Sequence, residues 1–286
     1  MASDNRFAVL IDADNVSVKY IKIILDEISK DGIATYKRIY GDWTNPSLIS
    51  WKSTLLDNSI IPVQQYSYTT GKNSTDSAMI IDAMDILYSG RVEGFCLVSS
   101  DSDFTRLAAR LRESGMTVIG MGESKTPNSF IAACNKFKYL DILSAADEAE
   151  AEEAAPKAEP VKKPAAQPKK TAQKAAAKKP KEEPKAEKEP KPAEPKKQQE
   201  KAIEEPRTSL RTIRRALRTI VRENSDEDNW IMVSQVGNLL DKRYTDFDVR
   251  NFGFSKLTPF LESLDMFEIK DMKKDSSSPQ KYVRLK

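Results

Sequence analysis

Val98-Ser99-Ser100-Asp101-Ser102-Asp103-Phe104 is an apolar run's end followed at once by two carboxylates. Far upstream, Val9-Leu10-Ile11-Asp12-Ala13-Asp14-Asn15 has the same form. Strands buried on both faces of a parallel sheet read as continuous apolar runs, and ligands bind beyond their carboxyl ends. If these two strands are neighbours, Asp12 and Asp101 meet. Close carboxylates repel and raise each other's pKa unless a cation lies between them. The two stretches together predict an α/β fold with a divalent-metal site at the strand ends.

Working outward, strands and helices alternate. Phe7 to Ile11 reads as a strand, followed by a helical stripe from Val18 to Ile28. A strand over Ile33 to Tyr40, a helix over Pro46 to Leu56 and a strand over Ile60 to Tyr66 come next. Then follow a helix from Ser74 to Tyr88, the strand Phe95 to Val98 and a helix from Phe104 to Arg112. The strand Thr117 to Met121 and a helix from Pro127 to Cys134 complete the series. This alternation predicts a mostly parallel sheet covered on both faces.

Asp76 adds a third acid from the first turn of the helix that starts at Ser74. A helix dipole stabilises an acid there. At about 100° per residue, however, Asp76 shares a side with Met79, Ile80 and Ala83, and an acid on the core side needs a partner. Asp82 lies well round from that face and Asp85 nearly opposite, so Asp82 is at most a supporting residue. Asp101 or Asp103 could cap the following helix, but two acids at i and i+2 exceed what a cap needs. Asp14 and Asn15 are expected to shape the turn or support the site. An all-oxygen set suits Mg²⁺ or Mn²⁺ better than Zn²⁺.

Composition narrows the chemistry. The 286 residues include no histidine, which excludes Ser-His-Asp and Cys-His nucleophiles and histidine-ligated metals. The two cysteines, Cys96 and Cys134, form no metal-binding spacing, and Cys96 is expected in the core. Met1-Ala2-Ser3-Asp4-Asn5-Arg6 lacks the features of a signal peptide, and no run is apolar enough to span a bilayer. The expectation is a soluble cytoplasmic protein with no membrane partner.

Three regions differ in charge. Residues 1–144 hold 15 Lys and Arg against 17 Asp and Glu; residues 145–206 hold 15 against 14; residues 207–286 hold 16 against 12. The middle region is Ala, Lys, Glu and Pro almost throughout, without an aromatic residue. It is expected to be a disordered linker, because it cannot bury enough apolar surface to offset its ordering entropy. In the last region, Leu210, Ile213, Leu217, Ile220 and Val221 form one helix face, and Arg211, Arg214, Arg215, Arg218 and Arg222 line the other. Two further helices and two short strands, Met266 to Ile269 and Tyr282 to Leu285, make a winged-helix pattern suited to nucleic acid.

These motifs carry a resemblance. Phe7-Ala-Val-Leu-Ile-Asp12-Ala-Asp-Asn15, then Lys72-Asn-Ser-Thr-Asp76-Ser-Ala, then Leu97-Val-Ser-Ser-Asp101-Ser-Asp103-Phe together resemble the NYN domain. Lys125-Thr-Pro-Asn-Ser-Phe130 and Cys134-Asn-Lys-Phe137 resemble its bacterial branch. The resemblance implies a PIN-like, Rossmannoid nuclease fold with Asp12, Asp76, Asp101 and Asp103 as the catalytic, metal-holding cluster. Asn15 matches the asparagine after the first acidic pair. Phe247-Asp-Val-Arg-Asn-Phe-Gly253-Phe-Ser-Lys256-Leu, followed by Leu261 and Phe267-Glu-Ile, resembles the OST-HTH/LOTUS domain, which implies RNA as the partner, including structured or guanine-rich RNA.

The expected function is thus a metal-dependent ribonuclease that recruits RNA through its basic C-terminal domain. Lys72, Lys125, Arg211, Arg214, Arg215, Arg218 and Lys256 are candidate RNA contacts; Arg106 is more readily surface charge. Tyr66 and Tyr68 could stack on bases. Two rivals stand beside this reading. Asp12-Ala-Asp14 also suits a HAD-type phosphatase with Asp12 as nucleophile, although Asn15 replaces the Thr/Ser-hydrophobic pattern usual there. A catalytically silent fold could serve as an RNA-binding scaffold.

Overall fold

Six parallel strands form the sheet of the N-terminal region: β1 (Arg6–Asp12), β2 (Ile33–Gly41), β3 (Ile61–Gln64), β4 (Gly94–Val98), β5 (Thr117–Gly122) and β6 (Lys136–Tyr139). Their spatial order is β3-β2-β1-β4-β5-β6. The chain winds outward from β1 in one direction, then from β4 in the other. The order therefore reverses between β1 and β4, the place where open α/β sheets bind ligands. The computed structural model describes residues 5–66, 74–154, 208–272 and 280–286. The described residues up to 152 and from 208 onward belong to one compact unit.

The alternation of side chains along β1 builds two cores from one strand. Phe7, Val9 and Ile11 enter a cluster with Ile24 and Ile28 of α1 (Ile21–Asp31), Leu55 of α2 (Trp51–Asp57), and Leu140 and Leu143 of α6 (Leu140–Ala154). Ala8 and Leu10 enter the opposite cluster, with Met79 and Ala83 of α3 (Ser74–Ser89) and Leu107 and Leu111 of α4 (Thr105–Glu113). The same cluster takes Phe130 and Ile131 of α5 (Asn128–Ala133). β4 divides likewise, Cys96 and Val98 to one side and Phe95 and Leu97 to the other. Each fully buried side chain of this size contributes about 1.5–3 kcal/mol, so a central strand apolar on both faces fixes the doubly wound arrangement.

Several sequence boundaries shift. The expected helix at Val18 begins with a 3₁₀ turn, Val18–Tyr20, before α1. Pro46–Leu48 is another 3₁₀ turn, and α2 follows it. The sequence reading did not anticipate β6 or α6. Of the expected linker, 145–206, residues 145–154 instead continue α6, and residues 155–206 lie outside the described residues.

The C-terminal region packs α7 (Leu210–Asn224), α8 (Val233–Arg243) and α9 (Leu257–Ser263) against a small antiparallel sheet. Its strands are β7 (Ile231–Met232), β8 (Phe267–Met272) and β9 (Gln280–Leu285), in the order β7-β9-β8. Ile213, Leu217 and Ile220 of α7 are buried, as the helical stripe requires. The β7 strand, only two residues long, is an addition to the expected wing. No helix among the described residues is long and apolar enough to cross a membrane.

Candidate active site

Parallel pairing aligns Ile11 of β1 with Val98 of β4. The next residues, Asp12 at the end of β1 and Ser99 just past β4, therefore stand side by side. Asp12 is fully buried, and its carboxylate is held from three directions. Oδ1 accepts the Asp14 amide at 3.1 Å; Oδ2 accepts Asn15 Nδ2 at 2.7 Å and Ser99 Oγ at 2.8 Å. Burial raises the Asp12 pKa, while these donors oppose the rise. Ser99 also accepts the Asp101 amide at 3.1 Å, so one hydroxyl links the two strand ends.

Asp76, Asp101 and Asp103 come together: each offers a carboxylate oxygen, and the three oxygens lie within 4.8 Å of one another. Asp76 stands in the first turn of α3 and is 8% exposed, in keeping with its position on the apolar side of that helix. Its pKa is pushed up to about 6, by burial first and then by repulsion from Asp12, Asp101, Asp103 and Asp14. Asp12 is outside the trio but heads the charges acting on Asp76. Asp101 also caps the 3₁₀ turn Ser102–Phe104, accepting the Asp103 amide at 2.9 Å. Capping and clustering are thus combined in one residue.

Asp14 is exposed and accepts Thr75 Oγ1 at 2.9 Å, which ties the β1 turn to the start of α3. Asp82 goes elsewhere. It pairs with Arg38 and accepts the Tyr40 hydroxyl, both on β2, and takes no part in the trio. The donors Ser99 and Thr75 escaped the sequence reading. Their signal was slight: one hydroxyl directly after a strand, the other directly before an acid. Gly122 escaped it too. A Cβ there would lie 2.6 Å from the Ser99 carbonyl oxygen and 2.6 Å from Thr126 Oγ1, so glycine lets β5 close against the loop that carries Asp101.

The candidate RNA contacts fall into groups. Lys72 and Tyr68 lie outside the described residues, and Tyr66 is exposed. Lys125 pairs with Glu123 at 2.7 Å, and Arg106 is exposed. On α7, Arg211, Arg215 and Arg218 are exposed and pair with no acid among the described residues. Arg214 differs: its guanidinium donates to the Leu264 carbonyl at 2.8 Å and meets Met266 Sδ at 3.5 Å, so it braces its own domain. Lys256 is exposed at the N-terminus of α9.

Three all-oxygen donors converging at a topological switch point fit a hard divalent cation, which would relieve the repulsion that raises Asp76. The NYN domain model matches residues 6–141, and the OST-HTH/LOTUS domain model matches residues 207–278. No curated protein matches the chain. Among solved structures, a protein of unknown function from Vibrio parahaemolyticus is similar at 19% identity and a TM-score of 0.41. That match covers 49% of this chain and 96% of the other. The chain joins an NYN domain, of PIN-like nuclease type, to an OST-HTH/LOTUS domain, of RNA-binding type.

Proposed function

We propose that this protein is a metal-dependent endoribonuclease whose catalytic residues are Asp12, Asp76, Asp101 and Asp103. The observation that carries this reading is the convergence of Asp76, Asp101 and Asp103 beside Asp12 at the end of β1 and β4. These three would hold Mg²⁺ or Mn²⁺, which when bound neutralises charge on the scissile phosphate and acidifies a water. Asp12, fixed by Asn15, Ser99 and the Asp14 amide, supplies negative charge at an unchanging position behind the trio. Asp14 and Asn15 support it. Burial and the neighbouring carboxylates push the Asp76 pKa up to about 6, so its own charge is in place above that pH.

The division of labour follows the regions 1–144, 145–206 and 207–286: nuclease, linker and RNA-binding domain, in a cytoplasmic protein. The acid-rich nuclease region repels a polyanion, so the exposed Arg211, Arg215 and Arg218 of α7, with Lys256, supply the attraction. Structured or guanine-rich RNA is the proposed substrate class.

The decisive measurement is cleavage of labelled single-stranded and structured RNA with Mg²⁺ or Mn²⁺, wild type beside Asp101→Asn. Wild type is expected to cut, and Asp101→Asn to cut at least about a hundredfold more slowly. Equal cleavage by both proteins would sink the assignment. Intact RNA binding without cleavage under any metal would favour the scaffold reading instead.

A second expectation concerns the C-terminal domain. Changing Arg211, Arg215 and Arg218 together to Gln removes three phosphate partners. The slope of log affinity against log salt should flatten by about 2, since each single-strand phosphate contact contributes about 0.7. A fluorescence-anisotropy titration across salt concentrations reads this directly. An unchanged slope would place the RNA surface elsewhere.

A further inference from the structure

β6 is an edge strand of the sheet, and a free edge offers unpaired backbone groups to any passing chain. Here the OST-HTH/LOTUS domain covers it. The Phe137 amide of β6 donates to the Thr245 carbonyl at 2.8 Å. The Tyr139 hydroxyl donates to Asp246 Oδ2 at 3.2 Å, and Asp246, 7% exposed, also receives the amide and hydroxyl of Thr208. Beside this strand, Arg250 donates two bonds to Glu27 of α1, at 2.6 and 2.9 Å. Glu27 is 3% exposed, and Lys138 of β6 approaches it at 3.0 Å. Asp248 orients the same guanidinium at 2.6 Å.

Bidentate arginine–carboxylate pairs have strict geometry, and a nearly buried one tolerates little displacement. A backbone hydrogen bond from the edge adds register. The contact is nonetheless polar, and a cleft of about 400 Å³ between β6 and α8 is lined by Lys136, Lys138, Asp241 and Asp248. Its affinity between separate molecules would be modest. Joining the partners through a linker of about 50 residues raises their effective concentration to roughly the millimolar range, which favours the domain of the same chain over that of a second copy.

We propose that the OST-HTH/LOTUS domain is docked in cis on the β6 edge of the NYN domain, through Arg250–Glu27 and Phe137–Thr245, and works as a fixed part of one body. The linker then closes a loop instead of setting the distance between two independent modules. The docking stands on these contacts; only its consequence, that RNA reaches the acidic cluster from one direction, rests on the ribonuclease reading.

The test uses the full chain without RNA, so its outcome is separate from that of the cleavage assay. Spin labels at Lys52→Cys and Lys242→Cys, both exposed, report the distance between domains, because Cys96 and Cys134 are buried. One narrow distance peak, a few ångströms wide, is expected, whereas a free tether of this length would spread over about 40 Å. Arg250→Glu, which faces Glu27 with a like charge, should broaden the peak. Hydrogen exchange gives a second reading independent of labels: the Phe137 amide should exchange at least tenfold faster in Arg250→Glu, with β1 and β4 amides unchanged. A broad wild-type distribution, or no change at Phe137, would overturn the proposal. So would a dimer by light scattering that brings the C-terminal domain from a second copy.

Discussion

Asp76→Asn is expected to stabilise the metal-free protein at neutral pH while lowering RNA cleavage by two to three orders of magnitude. Burial and four neighbouring carboxylates hold the Asp76 pKa at about 6, against 3.8 for an ordinary aspartate. An acid whose folded pKa lies above its unfolded value destabilises the fold once both states are ionised. Between pH 3.8 and about 6 the folded chain holds more protons than the unfolded chain, so stability falls as pH rises through this window. Above pH 6 the deficit is complete. Its size is about 1–2 kcal/mol once solvent screening is allowed for, or roughly 3–6 °C in melting temperature for a protein of this size. Asparagine keeps the shape and removes the charge. Mg²⁺ or Mn²⁺ should raise the melting temperature of wild type at pH 7.5, raise it less at pH 5, where protons compete, and leave Asp76→Asn nearly unaffected. A variant that melts below wild type would contradict the stability half of this expectation, and one that cleaves at the wild-type rate would contradict the catalytic half.

This opposition between stability and chemistry was partly legible in the sequence. Apolar runs that end in acids identified β1 and β4, and helical spacing placed Asp76 on the buried side of α3. Those signals are local, and each depends on residues within a few positions. What the sequence hid depends on distant partners. Asp82 sits off the apolar face of α3, yet its carboxylate is taken up by Arg38 and Tyr40, more than 40 residues earlier. Arg214 shares the arginine face of α7, but its guanidinium reaches the backbone of Leu264. β6 is four residues, Lys136-Phe137-Lys138-Tyr139, and lacks the continuous apolar run that marks β1 and β4. Asp31 of α1 takes both: Lys136 at 2.7 Å and Lys138 at 2.7 Å. A strand so short forms because long-range pairing supplies what its own sequence lacks.

Glu27, at the centre of that long-range set, should be among the most costly single positions to truncate. It is 3% exposed and shares its two oxygens among Arg250, Lys138 and Lys30. Burial alone would raise its pKa, but Arg250 foremost, then Lys138 and Lys30, hold the carboxyl far below the ordinary range. Glu27→Ala leaves partly buried cations without their counter-charge, at a cost of about 3–5 kcal/mol. Glu27→Gln keeps the volume and some hydrogen bonds, and should cost less. The pH dependence distinguishes charge from packing. A carboxylate with a depressed folded pKa contributes stability that is fully present above its unfolded value, 4.5, and is lost as pH falls through the folded value. The gap between wild type and Glu27→Gln should therefore be constant from pH 5 to 8 in urea titrations and narrow in stronger acid. Loss of less than about 1 kcal/mol on Glu27→Ala would reduce this network to an ordinary surface ion pair. A gap unchanged down to pH 2 would assign its effect to shape, because charge would then have played no part in holding α1, β6 and the C-terminal domain together.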